Sequence, residues 1–145
     1  MRDADLVGRL LTAINPANKD PERYWAEPYV LPGNVDGPDS PYLGRAGWTW
    51  YTGAAAWLPR AISEWVLGVR PTWEGLRFAP CLPPAWNRAS MQRPWRGARL
   101  HIDIEKAPEL APGEVKLEID GRSLAGGVLG EVEAGTEPRV RARCG

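Results

Sequence analysis

The spacing of apolar residues changes partway along this 145-residue chain. Up to about residue 70, apolar side chains recur every three or four positions, which is typical of helices. From about residue 72 they alternate with polar ones, which predicts antiparallel strands with one wet face. The pattern therefore predicts a mixed α and β chain, with helices first and a small β-sandwich last.

Two segments have helical spacing. The first covers residues 4–14. The second covers residues 53–67, with Thr52 as its N-cap and Gly68 as its stop. The second helix is apolar nearly all round, which predicts burial on most sides. A chain this short offers little to bury it, so we expect missing neighbouring structure.

Between these helices, residues 16–47 are dense in Pro, Gly, Asn and Asp. A long ordered loop inside a compact domain is usually functional. Pro59, inside the second helix, removes one backbone hydrogen bond and predicts a kink.

The C-terminal half contains several alternating runs. The clearest are "GARLHIDIEK" (97–106), "EVKLEIDG" (114–121) and "PRVRARC" (138–144). Asp120-Gly121 predicts a tight hairpin turn.

Charge and cysteine content exclude several classes of function. Eighteen basic and eighteen acidic residues give no net charge, so nothing favours nucleic acid or an anionic membrane. No apolar run is long enough for a membrane helix, which makes a cytoplasmic protein the expectation. Cys81, Cys144 and the single His101 lack zinc-site spacing, and we expect a solvated histidine. For the two cysteines we expect buried or free thiols in a reducing compartment, with a disulfide as the alternative.

The Thr52-Gly53 step has two interpretations. A Thr hydroxyl and the N–H groups at a helix N-terminus can hold a phosphate, and Gly allows it to approach closely. The alternative is an ordinary N-cap of a core helix. Nearby Arg45 is either an anion partner or part of a surface salt bridge.

Aromatic and acidic side chains around this step also have two interpretations. Trp48, Trp50, Tyr51 and Trp57 could form a platform for sugar rings, or could pack in a core. Alternation at positions 48 and 50 predicts that two of these rings point the same way. Glu27, with Asp36 and Asp39, could supply a carboxylate pair for glycoside chemistry, or the aspartates could simply form turns.

Several segments carry a family resemblance. They are "EPYV" (27–30), "GPDSPYLGRAGWTWYTGAAAW" (37–57), "EWVLGVRP" (64–71), "LRFAPCLPPAW" (76–86) and "RPWRGARLHIDI" (93–104). Together they resemble the C-terminal end of the glycoside phosphorylases, the cellobiose, chitobiose and cyclic β-1,2-glucan synthase type enzymes of glycoside hydrolase family ninety-four.

The resemblance implies that residues 1–70 are the last helices of an (α/α)6 barrel with a long active-site loop. Residues 71–145 are then a C-terminal β-sandwich. It implies inverting phosphorolysis of an oligosaccharide or β-glucoside, with inorganic phosphate as co-substrate and no cofactor. Thr52 and Gly53 carry over as phosphate contacts, with Glu27, Arg45, Trp48, Trp50 and Tyr51 as possible site-lining residues.

The same resemblance places the general-acid Asp upstream, so this chain would hold no catalytic acid and no metal. The implied partner is the missing N-terminal part of the enzyme, or a second copy in a homodimer. A stand-alone carbohydrate-binding module and a purely structural remnant remain alternatives from other classes.

Overall fold

The computed structural model describes residues 3–50 and 53–145 of the chain. It is mixed α and β, with few helices and several sheets. The helices are α1 (Ala4–Ile14), α2 (Pro21–Tyr24) and α3 (Ala54–Ala61), the last continued by a π-helical turn over Ile62–Val66. The first strands, β1 (Asn34–Val35) and β2 (Ala46–Gly47), form a two-stranded sheet.

Eight further strands make two larger sheets. They are β3 (Val69–Pro71), β4 (Leu76–Phe78), β5 (Arg88–Trp95), β6 (Ala98–Lys106), β7 (Val115–Ile119), β8 (Arg122–Leu124), β9 (Val128–Leu129) and β10 (Arg139–Cys144). One sheet has the order β5-β6-β10-β7-β8, and the other has the order β3-β4-β9.

A shared core joins the two larger sheets. Leu100, Ile102 and Ile104 of β6 point inward and are almost completely buried, as their alternation with polar residues predicts. They belong to the same core cluster as Val69 and Leu76 from the three-stranded sheet. This packing is compatible with a small β-sandwich.

Helix α1 agrees with the predicted range 4–14, and the Asp3 side chain caps it by accepting a hydrogen bond from Leu6 N at 2.9 Å. The second predicted helix is less regular. Its α-helical part begins at Ala54, after Gly53 in the N-cap position. The proposed cap, Thr52, lies outside the described residues.

Pro59 does not end the second helix. Instead the hydrogen bonding changes shortly after it, and Leu67 N donates to Ile62 O at 2.8 Å in a π-helical turn. The N–H that Pro59 lacks would pair with the carbonyl of residue 55, so the π-helical turn lies beyond the bond that the proline removes. Gly68 follows with φ +70°, and a side chain there would clash with the Ala79 carbonyl, 2.1 Å from an added Cβ.

The strands of the sandwich differ from those predicted in three respects. They begin at Val69 rather than at residue 72. The long strand β5 was missed, although Ala89, Met91 and Trp95 alternate with exposed residues. Strand β10 pairs in parallel with β6, so the sheet is not wholly antiparallel.

The hairpin at Asp120-Gly121 is confirmed, with both residues at positive φ. Division of the chain between residues 70 and 71 stays a prediction.

This chain offers little to bury the second helix, as its short length predicts. No residue of α3 is buried, and Trp57 is 63% exposed. Within the described part of the chain, no helix is long and apolar enough to cross a membrane.

Candidate functional site

The loop before α3 is ordered by a short backbone ladder. Val35 pairs with Ala46, and Gly33 N donates to Gly47 O at 2.9 Å. Arg23 of α2 also ties the loop down, because its Nε donates to Leu43 O at 2.8 Å. The sequence between residues 16 and 47 therefore has defined structure despite its many prolines and glycines.

The segment that follows this ladder has an unusual backbone. Trp48 and Trp50 have φ values of 56° and 71°, in the left-handed region that large side chains rarely occupy. The segment is therefore not an extended strand, and the expectation that both rings point the same way for that reason is wrong. Such outliers cluster at functional sites, where the surrounding structure holds them in place.

The aromatic side chains of this region are exposed rather than packed in a core. Trp48 is 68% exposed and Trp50 is 69% exposed. Trp25, Tyr29 and Tyr42 are exposed as well. The alternative prediction, that Trp48 and Trp50 pack in a core, is therefore wrong within this chain. Tyr51 lies outside the described residues.

Glu27 is joined to the same segment by a hydrogen bond. Trp50 Nε1 donates to Glu27 Oε1 at 2.9 Å, and Tyr29 contacts the Trp50 ring edge-on at 6.1 Å between centroids. The hydrogen bond from Trp50 holds the pKa of the Glu27 carboxyl below its usual value. A carboxylate of this kind accepts hydrogen bonds from hydroxyl groups well, but it is a poor general acid.

Asp36 has a local structural role. Its carboxylate accepts a hydrogen bond from Ser40 Oγ at 3.2 Å, and Gly37 O accepts one from Ser40 N at 3.1 Å. This is the turn-forming role of aspartate. Among the described residues, neither Asp36 nor Asp39 is hydrogen-bonded to Glu27.

Arg45 stacks on aromatic rings. Its guanidinium lies 4.7 Å from the Trp25 ring centroid and 5.2 Å from that of Tyr42. Arg45 forms no ion pair with any described residue, so the alternative prediction of a surface salt bridge is wrong. A cation held over ring faces keeps its charge and its N–H donors available to an anion.

Gly53 begins α3 with nothing crowding its Cα. Among the described residues, an added Cβ would contact only Trp57 Cδ1, at 3.7 Å. The backbone at this helix N-terminus is thus open to close approach. Thr52, the other predicted phosphate contact, lies outside the described residues.

Other predicted candidates lie on the sandwich. His101 is half-buried and its Nε2 lies 3.1 Å from Glu137 Oε2. Cys81 and Cys144 are free and buried, and burial raises the pKa of the Cys144 thiol. Among residues 3–50 and 53–145, no three His, Cys, Asp or Glu side chains are arranged to hold a metal ion.

Two family models match the chain in succession. Residues 7–68 match the catalytic domain of the glycosyl hydrolase 94 superfamily. Residues 69–124 match the C-terminal domain of glycosyl hydrolase family 65.

Individual relatives agree with these matches. Solabiose phosphorylase of Paenibacillus borealis is 33% identical over 81% of this chain, which covers 15% of that protein. N,N'-diacetylchitobiose phosphorylase of Vibrio proteolyticus is 32% identical over 84% of the chain, covering 16% of the relative. Cyclic beta-(1,2)-glucan synthase of Rhizobium meliloti is 35% identical over 71% of the chain and only 4% of its own length. The chain is therefore similar to a small part of these proteins, and residues 7–68 carry its similarity to the glycosyl hydrolase 94 superfamily.

Proposed function

We propose that the chain is the C-terminal part of an inverting glycoside phosphorylase, which converts a β-glucoside and inorganic phosphate into an α-sugar 1-phosphate. The observation that carries this proposal is the match of residues 7–68 to the catalytic-domain family, whose relatives here include two disaccharide phosphorylases. Phosphate is the co-substrate, and no cofactor is proposed.

In this proposal Thr52 and Gly53 contact the phosphate. The first N–H groups of an α-helix have no acceptor within the helix, and the helix dipole favours an anion there. The open backbone at Gly53 supports close approach. Arg45, held over two ring faces, supplies further positive charge at the site.

The sugar is proposed to lie against the exposed rings of Trp48 and Trp50, together with Tyr51, which lies outside the described residues. Flat aromatic faces suit the apolar faces of sugar rings, and Glu27 accepts a hydrogen bond from a hydroxyl group. The low pKa of Glu27 argues against using it as the acid that protonates the leaving group. We infer that this acid comes from outside the chain and that the isolated chain is inactive.

We further infer that α1 and α3 are the last helices of an (α/α)6 barrel. Their exposed apolar faces support this, because neither helix has a buried residue. The missing N-terminal part, or a second copy of the chain, would cover them. The free thiols fit a cytoplasmic location, since disulfides are rare in reducing compartments.

A stand-alone carbohydrate-binding module is the second candidate, favoured by the exposure of Trp48 and Trp50. It predicts that the isolated chain retains oligosaccharides without phosphate. The phosphorylase proposal predicts that sugar and phosphate are used together, and only when the upstream part is present.

The decisive experiment substitutes Thr52→Val in an enzyme that contains this chain with its upstream part. Removing one hydrogen bond to a charged group costs about 1.5–3 kcal/mol, so kcat/KM for phosphate should fall roughly ten- to a hundredfold. Sugar binding should change little, because the two side chains have similar volume.

Thr49→Val, three residues upstream, is the matched control and should leave the phosphate dependence unchanged. If Thr52→Val also leaves it unchanged, Thr52 is only a helix cap. Full activity of the isolated 145-residue chain would contradict the proposed external acid.

A further inference from the structure

A polar depression lies on the outer face of the five-stranded sheet. It has a volume of about 320 Å³, near the lower end for small-molecule sites. Its polar lining consists of Ser90, Gln92, His101, Asp103 and Arg139. None of these residues belongs to the loop or helix residues discussed above as the phosphorylase site.

Strand register brings the lining residues together. Gln92 of β5 pairs with His101 of β6, which pairs with Arg139 of β10. One step along, Ser90 pairs with Asp103. Residues two apart on a strand share a face, so these five side chains form two adjacent rows on one face.

The backbone around Arg139 is held firmly. Its N–H donates to Asp120 Oδ1 at 2.9 Å, and its carbonyl accepts from Asp120 N at 2.9 Å. His101 is oriented by Glu137, and Asp103 lies 3.5 Å from Arg88. Neighbours outside the depression thus hold the Arg139 backbone and the His101 and Asp103 side chains in place.

Three of the lining side chains have no partner. Ser90, Gln92 and Arg139 make no side-chain hydrogen bond or ion pair with any described residue. Together they offer a hydroxyl, an amide and a guanidinium, which include both donors and acceptors. The depression therefore presents unused hydrogen-bonding groups from two strands that flank β6.

The charges select the kind of ligand. Arg139 and Asp103 carry opposite charges, so neither a free anion nor a free cation is favoured over the other. A phosphate would meet the Asp103 carboxylate. A neutral ligand with several hydroxyl groups fits better, because each hydroxyl both donates and accepts hydrogen bonds.

We propose that this depression binds one hexose unit of a neutral saccharide, with Asp103 and Arg139 bonding neighbouring hydroxyl groups and Gln92 and Ser90 completing the contacts. Among the described residues, its lining contains no Trp, Tyr or Phe ring on which a sugar could stack, so binding is weak, with a Kd of about 1 mM. This site is independent of the proposed phosphorylase chemistry.

The test is a titration of the ¹⁵N-labelled chain with glucose, cellobiose and, separately, inorganic phosphate, followed by amide chemical shifts. Saccharide should shift the amides of the lining residues with a saturable Kd. Arg139→Gln and Asp103→Asn should each weaken that binding about tenfold. Arg122→Gln, on exposed strand β8 of the same sheet, is the matched control and should bind normally.

Circular dichroism of each variant should match that of the parent chain, since the substituted side chains lie on the sheet surface. Trp50→Ala should leave these shifts unchanged, which separates this site from sugar contacts at the loop. Absence of saturable shifts up to about 20 mM saccharide, twenty times the expected Kd, would overturn the proposal. So would phosphate shifting these amides more strongly than saccharide does, or equal loss of binding in the Arg122→Gln control.

Discussion

The two halves of this chain bury their apolar residues to very different extents. From Leu67 onward, two sheets share a core whose largest side chains are fully buried. Before Val66, the buried apolar residues of the described chain are only Pro16, Tyr24, Val30 and Ala46. The sandwich is thus stabilised by its own buried core, whereas the helices carry exposed apolar faces that another protein surface would have to cover.

The exposed tryptophans of the second helix show the same difference in burial between the two halves. Trp57 and Trp65 lie on the second helix and are each more than half exposed, with Arg60 and Arg70 over their rings. A burial pattern of this kind is expected where a helix belongs to a larger assembly. Experiments can test whether the sheets are stable through their own core and whether the helices need a further surface to cover them.

The largest expected effect comes from truncating matched leucines in the two halves. Leu100→Ala removes a fully buried side chain and should lower the free energy of unfolding by about 2–5 kcal/mol. Leu10→Ala, on α1 with 52% exposure, should change it by no more than about 0.5 kcal/mol. Urea denaturation of both variants measures the difference. Equal losses would contradict the comparison.

The junction between the halves should be nearly as sensitive. Gly68→Ala forces a Cβ at positive φ against the Ala79 carbonyl, so it should cost at least about 1–3 kcal/mol. Gly121→Ala also has positive φ but meets nothing within 4 Å, and should cost less. Thermal unfolding of the two variants would rank them. A smaller loss for Gly68→Ala would show that the junction tolerates rearrangement.

Self-association should depend on the helical half. Trp57→Lys with Trp65→Lys should reduce light scattering and binding of a hydrophobic dye, because large exposed apolar patches promote association. Trp73→Lys is the control, since that ring is fully exposed on the β3–β4 turn of the other half. Ile62 is partly buried against the core and is left unchanged. A parent chain that is monomeric and binds no dye would refute the expected association.

The smallest effect concerns the ionisation of Glu27. Its folded pKa is lowered mainly by the Trp50 hydrogen bond, so Trp50→Phe should move the pKa back up toward the ordinary value. A lowered pKa stabilises the fold above the unfolded pKa of about 4.5, and that contribution is lost as pH falls through the folded pKa. NMR titration of the Glu27 carboxyl measures the shift, with Tyr29→Phe as the control. An unchanged pKa in Trp50→Phe would assign the shift to another cause.

The local pattern determined much of this protein by itself. Alternation of Leu100, Ile102 and Ile104 fixed the inward face of β6, because side chains alternate across any strand. Asp120-Gly121 specified its turn, since two successive positive φ angles favour these residue types. The motif around "GWTWYTG" also pointed to the family before any geometry was available.

Only the tertiary structure decided which surfaces are covered. Helical spacing shows that α3 has apolar faces, but burial depends on what lies beside it, and this chain leaves those faces exposed. Parallel pairing of β10 with β6 joins strands far apart in sequence, so no local pattern could reveal it. The Glu27–Trp50 hydrogen bond and the row from Gln92 to Arg139 likewise join distant positions. Such contacts are set by how the whole chain packs, and that information is not held by any short segment.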